Sequence, residues 1–321
     1  MHATSGHWKF GLWLALTTAL LWGLLPIALT IVLEDMDAFT ITWYRFSTAG
    51  LALGLYLAWR RRLPKISALT SQSWVLFAVA LIGLCANYVL YPLALHRMNP
   101  TGAQVLIQLA PVFLLFGGVL VFRERLSALQ WAGVIVFVTG LLLFFHDRLA
   151  DIVSGEGQFG LGVLMMIGAA LTWAVYGLAQ KQLLNRLASE QVLLMLYLGA
   201  MLVLLPPAHP GTVAELSTLQ LAMLGFCCLN TVVAYGCFAE ALEHWEVSRV
   251  SAVVALAPLF TMLAMYVGSR IWPSLASMER LNVLNVVGAL MVVTGSMTTA
   301  LGSRSARQTV QSPVPGAGTI A

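Results

Sequence analysis

The chain has 321 residues, 60% of them hydrophobic and only 9% charged, which excludes an ordinary soluble domain, where about a quarter of residues are charged. The net charge of +4 does not mark a nucleic-acid partner, because the cations stand in short groups beside apolar runs, as membrane topology determinants do. The four cysteines, Cys85, Cys227, Cys228 and Cys237, lie within apolar runs and no Cys/His group has metal spacing, so neither a metal site nor a disulfide framework is expected.

A hydrocarbon core about 30 Å thick takes roughly 20 apolar helical residues to cross. Ten stretches qualify in chain order: 10–33, 39–59, 74–95, 102–122, 128–145, 160–183, 191–206, 219–242, 250–271 and 283–301. The first is too long for a secretory apolar core and has no small-residue cleavage site, so it is expected to remain as a span. The seventh is cut short by Pro206-Pro207. Connections are short except 146–159 and 272–282, and the tail 303–321, rich in Ser, Pro, Gly and Thr, is expected to be disordered.

Orientation follows from the Lys/Arg bias of alternate loops. With the N-terminus in the cytoplasm, the inner side holds twelve cations: Lys9, Arg60, Arg61, Arg62, Lys65, Arg123, Arg125, Lys181, Arg186, Arg249, Arg304 and Arg307. The outer side holds four: Arg97, Arg148, Arg270 and Arg280. Both termini are therefore predicted to be cytoplasmic, and the acidic first loop (Glu34, Asp35, Asp37) faces outward.

The ten spans read as one five-span unit written twice. At offset 147, Tyr88/Tyr235, Ala94/Ala241, Leu95/Leu242, Leu109/Leu256, Ala110/Ala257, Pro111/Pro258, Phe113/Phe260 and Arg123/Arg270 are identical. Ala19/Ala170, Leu20/Leu171, Trp22/Trp173, Ala28/Ala179 and Leu33/Leu184 match at offset 151. Glu124-Arg125-Leu126 and Val138-Thr139-Gly140 recur as Glu279-Arg280-Leu281 and Val293-Thr294-Gly295 at offset 155. An odd number of spans per unit leaves the second copy upside down, the plan of many secondary transporters. The expected fold is an all-α polytopic membrane protein, with repeats at 1–145 and 160–302, a linker at 146–159 and the tail at 303–321.

Leu21-Trp22-Gly23, Arg45-Phe46, Leu109-Ala110-Pro111, Arg123-Glu124-Arg125-Leu126, Gly133 and Gly140, most of them repeated in the second half, resemble the drug/metabolite transporter superfamily in its EamA-type branch. The resemblance runs from Phe10 to Leu301. It implies a carrier of small metabolites, often an exporter, with a central cavity between the halves and spans five and ten at the periphery. The sequence departs from the family pattern at Thr30, where many members carry Lys, and at Ile271-Trp272, where the second half usually repeats Gly-Glu.

Ionisable residues within spans are functional candidates by default. Arg45 reads as a fixed charge for a substrate carboxylate or as a structural cation anchored to Glu34, Asp35 and Asp37. Glu240 reads as the carboxylate for a coupling proton or as a solvated helix end. Uncharged polar residues form stripes four residues apart, on one helix face each: Thr18, Trp22 and Pro26; Asn87 and Tyr91; Gln104 and Gln108; Thr172, Tyr176 and Gln180; Thr231 and Tyr235. Each is substrate contact or interhelical glue. Trp22, Asn87, Tyr91, Gln104, Gln108, Trp173, Tyr176, Gln180 and Tyr235 form the candidate substrate-binding set. Pro26, Pro111 and Pro258 are candidate gating kinks, with Pro92 a further in-span proline.

These features point to a secondary transporter in the plasma or inner membrane, exporting an amino acid or similar zwitterion by alternating access, with amphiphilic drugs or other metabolites as the alternative cargo. No cofactor, catalytic residue or nucleic-acid partner is expected; the partners are the substrate and the bilayer. A phosphate-binding nucleotide loop is absent from the sequence, and one intramembrane cation is too few for a phosphorylated substrate. A membrane enzyme is disfavoured because none of the six histidines has a carboxylate partner at helical spacing within a predicted span, and a channel because there is no charge ring or filter-like loop.

Overall fold

The computed structural model describes residues 7–64, 69–154, 157–271 and 282–310. Among the described residues the regular structure is entirely helical. In chain order the α-helices are α1 (Trp8–Val32), α2 (Ala38–Trp59), α3 (Ser71–Leu95), α4 (Pro100–Leu106), α5 (Leu109–Phe122), α6 (Ala128–Phe144), α7 (Leu149–Ser154), α8 (Gln158–Leu183), α9 (Ser189–Leu204), α10 (Thr218–His244), α11 (Val247–Val254), α12 (Ala257–Ile271) and α13 (Val283–Val310). Seven helical stretches are long and apolar enough to cross a membrane: α1, α3, α4 with α5, α8, α10, α11 with α12, and α13. Helices α6 and α9 are apolar but have only 17 and 16 residues, and α2 carries Arg45 with several Thr and Ser side chains.

The boundaries follow local chemistry. Asp37 opens α2 by accepting from the Phe39 and Thr40 amides at 2.9 and 3.0 Å, and Ser127 with Gln130 closes a capping box on α6. Such caps satisfy amides that a helix start leaves open. The predicted fourth and ninth spans are each broken, at Ile107-Gln108 and Ala255-Leu256. Pro111 and Pro258 explain both breaks, since proline lacks the amide and crowds the carbonyl four residues back, yet is tolerated in a helix's first turn. They are therefore break points rather than kinks, while Pro26 and Pro92 stand inside continuous helices. The carbonyl that Pro92 frees, that of Tyr88, accepts the Thr42 hydroxyl at 2.9 Å.

Two further boundaries differ from expectation. The 146–159 connection contains a single 3-10 turn at His146–Arg148 and helix α7. The last helix continues to Val310 rather than ending at Leu301. The remainder of the expected disordered tail, 311–321, lies outside the described residues, as do Lys65 and Glu279-Arg280-Leu281.

The main packings are α1 on α10, α3 on α8, α2 on α9 and α6 on α13. The last pair is the tightest. A Cβ at Gly140 would lie 2.6 Å from the Val292 amide nitrogen and 2.8 Å from the Gly288 carbonyl, and one at Gly133 would lie 2.8 Å from the Thr299 nitrogen and 2.9 Å from the Gly295 carbonyl. Glycines seven apart on each helix thus let two backbones touch, as small residues do at membrane helix interfaces. Asn285 ties the same seam by donating to the Phe144 carbonyl at 2.6 Å.

Gly140→Ala is expected to lower the thermal unfolding midpoint in detergent, with about 1–3 kcal/mol of overpacking. Gly225→Ala, where an added Cβ meets nothing within 4 Å, should raise it slightly through helix propensity. Equal effects of the two substitutions would contradict the backbone seam.

Candidate functional site

Arg45 stands on the buried face of α2 with Ile41, Thr42, Phe46 and Ala49 and is itself only 4% exposed. Its Nε donates to Thr231 Oγ1 on α10 at 3.0 Å. The Thr231 hydroxyl in turn donates to the Cys227 carbonyl at 3.0 Å, which leaves its oxygen lone pairs for the arginine. The guanidinium carbon lies 4.5 Å from the centre of the Tyr88 ring on α3. Among the described residues no carboxylate lies within ion-pair distance of Arg45, and none accepts from its terminal Nη1 and Nη2.

The acidic loop does not anchor this cation. The Asp35 carboxylate accepts from Gln220 Nε2 at 2.7 Å, and the Asp37 carboxylate caps α2 and lies 3.8 Å from His209 Nδ1. Asp37 begins the helix that carries Arg45, and eight residues of helix hold the two groups about 12 Å apart along its axis.

An aromatic cluster continues outward from the Tyr88 ring. The Phe46 ring lies 4.5 Å from that of Tyr88 and 5.7 Å from that of Tyr197 on α9. Tyr197 is 4% exposed, and its hydroxyl has no hydrogen-bond partner among the described residues. Tyr235 on α10 packs edge-on against Trp22 at 5.4 Å and belongs to the same packed cluster as Tyr88 and Trp173. Trp173 stands 6.4 Å from Tyr176, with Gln180 one turn further along the same face of α8. Of the sequence-predicted set, Arg45, Trp22, Trp173, Tyr176, Gln180 and Tyr235 thus form one neighbourhood.

The other four have protein partners that join helices. Asn87 Nδ2 donates to the Ala169 carbonyl at 2.8 Å, Tyr91 donates to Gln104 Oε1 at 2.8 Å, and Gln108 Nε2 donates to the Ala255 carbonyl at 3.0 Å. Glu240 lies apart from both groups at the end of α10. Its carboxylate is half exposed and sits 3.1 Å from His244 Nε2, so it lacks the burial that would set a coupling carboxylate apart. The expectation that no histidine has a carboxylate at helical spacing fails here, because α10 extends past the predicted span end to include His244.

Sequence reasoning missed Tyr197, a single hydroxyl in the apolar run Leu193–Leu198. Tyr88 entered only as the repeat partner of Tyr235, with which it shares one packed cluster.

A helical bundle crossed by polar and aromatic side chains, with one buried cation among the described residues, fits a polytopic membrane carrier. The comparisons agree. The EamA-like transporter family matches residues 9–146 and again 160–301, and the chain belongs to that family, a family of transporters rather than enzymes. It is 43% identical to the "Uncharacterized inner membrane transporter YhbE" of Escherichia coli K12 over 92% of both chains. It is 40% identical to an "Uncharacterized transporter" of Haemophilus influenzae, over 92% of this chain and 95% of that one. A "Probable amino-acid metabolite efflux pump" of Escherichia coli K12 is 23% identical over 91% of this chain and 95% of its own length. A crystal structure at 19% identity covers 91% of this chain and 97% of that one with a TM-score of 0.61, which shows a shared fold.

If Tyr91 and Gln104 act as glue, a double-mutant cycle of Tyr91→Phe and Gln104→Leu, read as unfolding free energies, should give a coupling of about 0.6 kcal/mol. Additive effects would mean that the hydroxyl and amide serve some partner other than each other.

Proposed function

We propose that the chain is a ten-span secondary transporter of the inner membrane, built from two inverted five-span repeats at 1–145 and 160–302 joined by 146–159. It exports a small zwitterionic metabolite by alternating access. The repeat reading is supported by contacts that recur with the halves exchanged. Asn87 on α3 donates to the Ala169 carbonyl on α8 at 2.8 Å, and Thr18 on α1 donates to the Ala234 carbonyl on α10 at 3.3 Å. Residues 18 and 169 are repeat partners, as are 87 and 234, so one position pair is bridged twice from opposite sides. A Cβ at Gly83 would lie 2.8 Å from the Thr172 carbonyl; at the equivalent pair, Asn230 Nδ2 donates to the Leu21 carbonyl at 2.6 Å.

One observation supports the mechanism: the two ends of the bundle hold equivalent close helix approaches. A Cβ at Gly11 would lie 2.7 Å from Trp245 Cβ and 3.4 Å from His244 Cβ, and a Cβ at Gly162, its repeat partner, would lie 2.9 Å from Arg97 Cβ. Two interchangeable closures around a central site are what alternating access requires, and rocking one repeat against the other opens them in turn. On the Lys/Arg bias, the Gly11 end faces the cytoplasm and the Gly162 end the opposite side. The names of the YhbE protein and of the remote efflux pumps support the membrane, the direction and the amino-acid-like cargo.

Gly11→Leu and Gly162→Leu should bias the carrier in opposite senses. With a cysteine in place of Tyr176, a polar thiol reagent should label Gly11→Leu mainly from the cytoplasmic side and Gly162→Leu mainly from the other. Both variants opening to one side would overturn the inverted-repeat reading. A reporter fused after Gly302 should be active only as a cytoplasmic reporter; activity on the other face would mean a miscounted span.

A further inference from the structure

We propose that Arg45 and Tyr197 form a two-point subsite for a single carboxylate of the transported molecule, an inference that rests on the carrier reading above. Its two donors stand on helices α2 and α9, which pack on each other. A guanidinium only 4% exposed requires compensation by charge or hydrogen bonds, and the described residues supply Arg45 with one hydroxyl, at Nε, and one ring face. The terminal edge of its fork stays open. That edge presents parallel N–H groups matched to the two oxygens of a planar carboxylate.

Tyr197 brings the second donor. A buried hydroxyl left without a partner is unfavourable, and the Tyr197 hydroxyl is such a group. The Phe46 ring, next in sequence to Arg45, packs against the rings of both Tyr88 and Tyr197. Tyr197 is thus one ring removed from Tyr88, over which the guanidinium lies.

The chemistry of the donors selects the ligand. Arginine can only donate, and the tyrosine hydroxyl has its proton unassigned, so the complementary group is one that only accepts. Arg45 is the only buried cation among the described residues, which suits one negative charge and not the two of a phosphate monoester. The rings of Trp22, Trp173 and Tyr235 offer π faces near the same point, suited to the ammonium of a zwitterion.

The test uses the full-length protein in proteoliposomes, with the twenty common L-amino acids and, for each one transported, its decarboxylated amine and its amide as probes. Arg45→Lys keeps a cation but loses the fork. It should raise the half-saturating concentration of the acid about tenfold or more, with little effect on any residual transport of the amine. Tyr197→Phe should weaken the acid by roughly three- to tenfold while leaving the thermal unfolding midpoint equal or higher, because the substitution removes an unmet hydroxyl. A structural tyrosine would instead lose stability and transport together, and that result would overturn its role. Transport of the amine or amide as readily as the acid would overturn the subsite. So would failure of the whole panel with wild-type protein, and in that case the sided labelling of the Gly11 and Gly162 variants still decides the carrier reading separately.

Discussion

The constraint on which the rest of this structure depends is the absence of water around its backbone. In hydrocarbon every peptide group must find a partner within the protein, and a helix interrupted by proline or approached by another helix has carbonyls to satisfy. Side chains from other helices reach several of them. Thr42 meets the carbonyl freed by Pro92, Gln108 reaches Ala255 at the break of the opposite half, and Thr261 donates to the Gly23 carbonyl at 2.6 Å. Asn87, Asn230 and Asn285 do the same for intact helices. These bonds join helices by backbone atoms, which any side chain leaves in place, so the stitching is compatible with wide variation in the apolar residues around it.

That economy explains why polar residues in the spans are ambiguous when read from sequence. Asn87, Tyr91, Gln104 and Gln108 lie on helical stripes exactly as substrate contacts would, yet each has a protein partner in this conformation. What separates Arg45 and Tyr197 from them is unused hydrogen-bonding capacity. A residue whose donors are all engaged holds the scaffold; one with donors left over in a buried place is available to a guest. Spacing along a helix gives the face a residue occupies and is silent about what lies opposite.

Much of the architecture was nevertheless legible. Runs of about 20 apolar residues marked the helices, and the caps Asp37, Asn99, Ser127 and Ser217 stand where side-chain oxygens precede those runs. Pro111 and Pro258 announced a disturbance but not its form, because proline at the third or second position of a new helix and proline in a kink look alike in sequence. The anchoring of Arg45 to the acidic loop was not decided by sequence either: Asp37 is consumed as a cap and Asp35 accepts from Gln220. Tyr197 was invisible because its significance lies in a missing partner, and no pattern along the chain records that.

The α6 and α13 seam bears on how the protein is made. Gly133 meets the helix that carries Gly295, and 162 residues of chain separate them. At about 5–20 residues per second, the ribosome needs roughly 8–30 s to deliver the partner. Helices α1, α2 and α3 likewise pack on α10, α9 and α8, so the first half spends that interval with its mating faces uncovered in the bilayer. Lipid, or the insertion machinery, must occupy the glycine groove of α6 until α13 displaces it. Assembly of this carrier is thus timed by translation of its own second half.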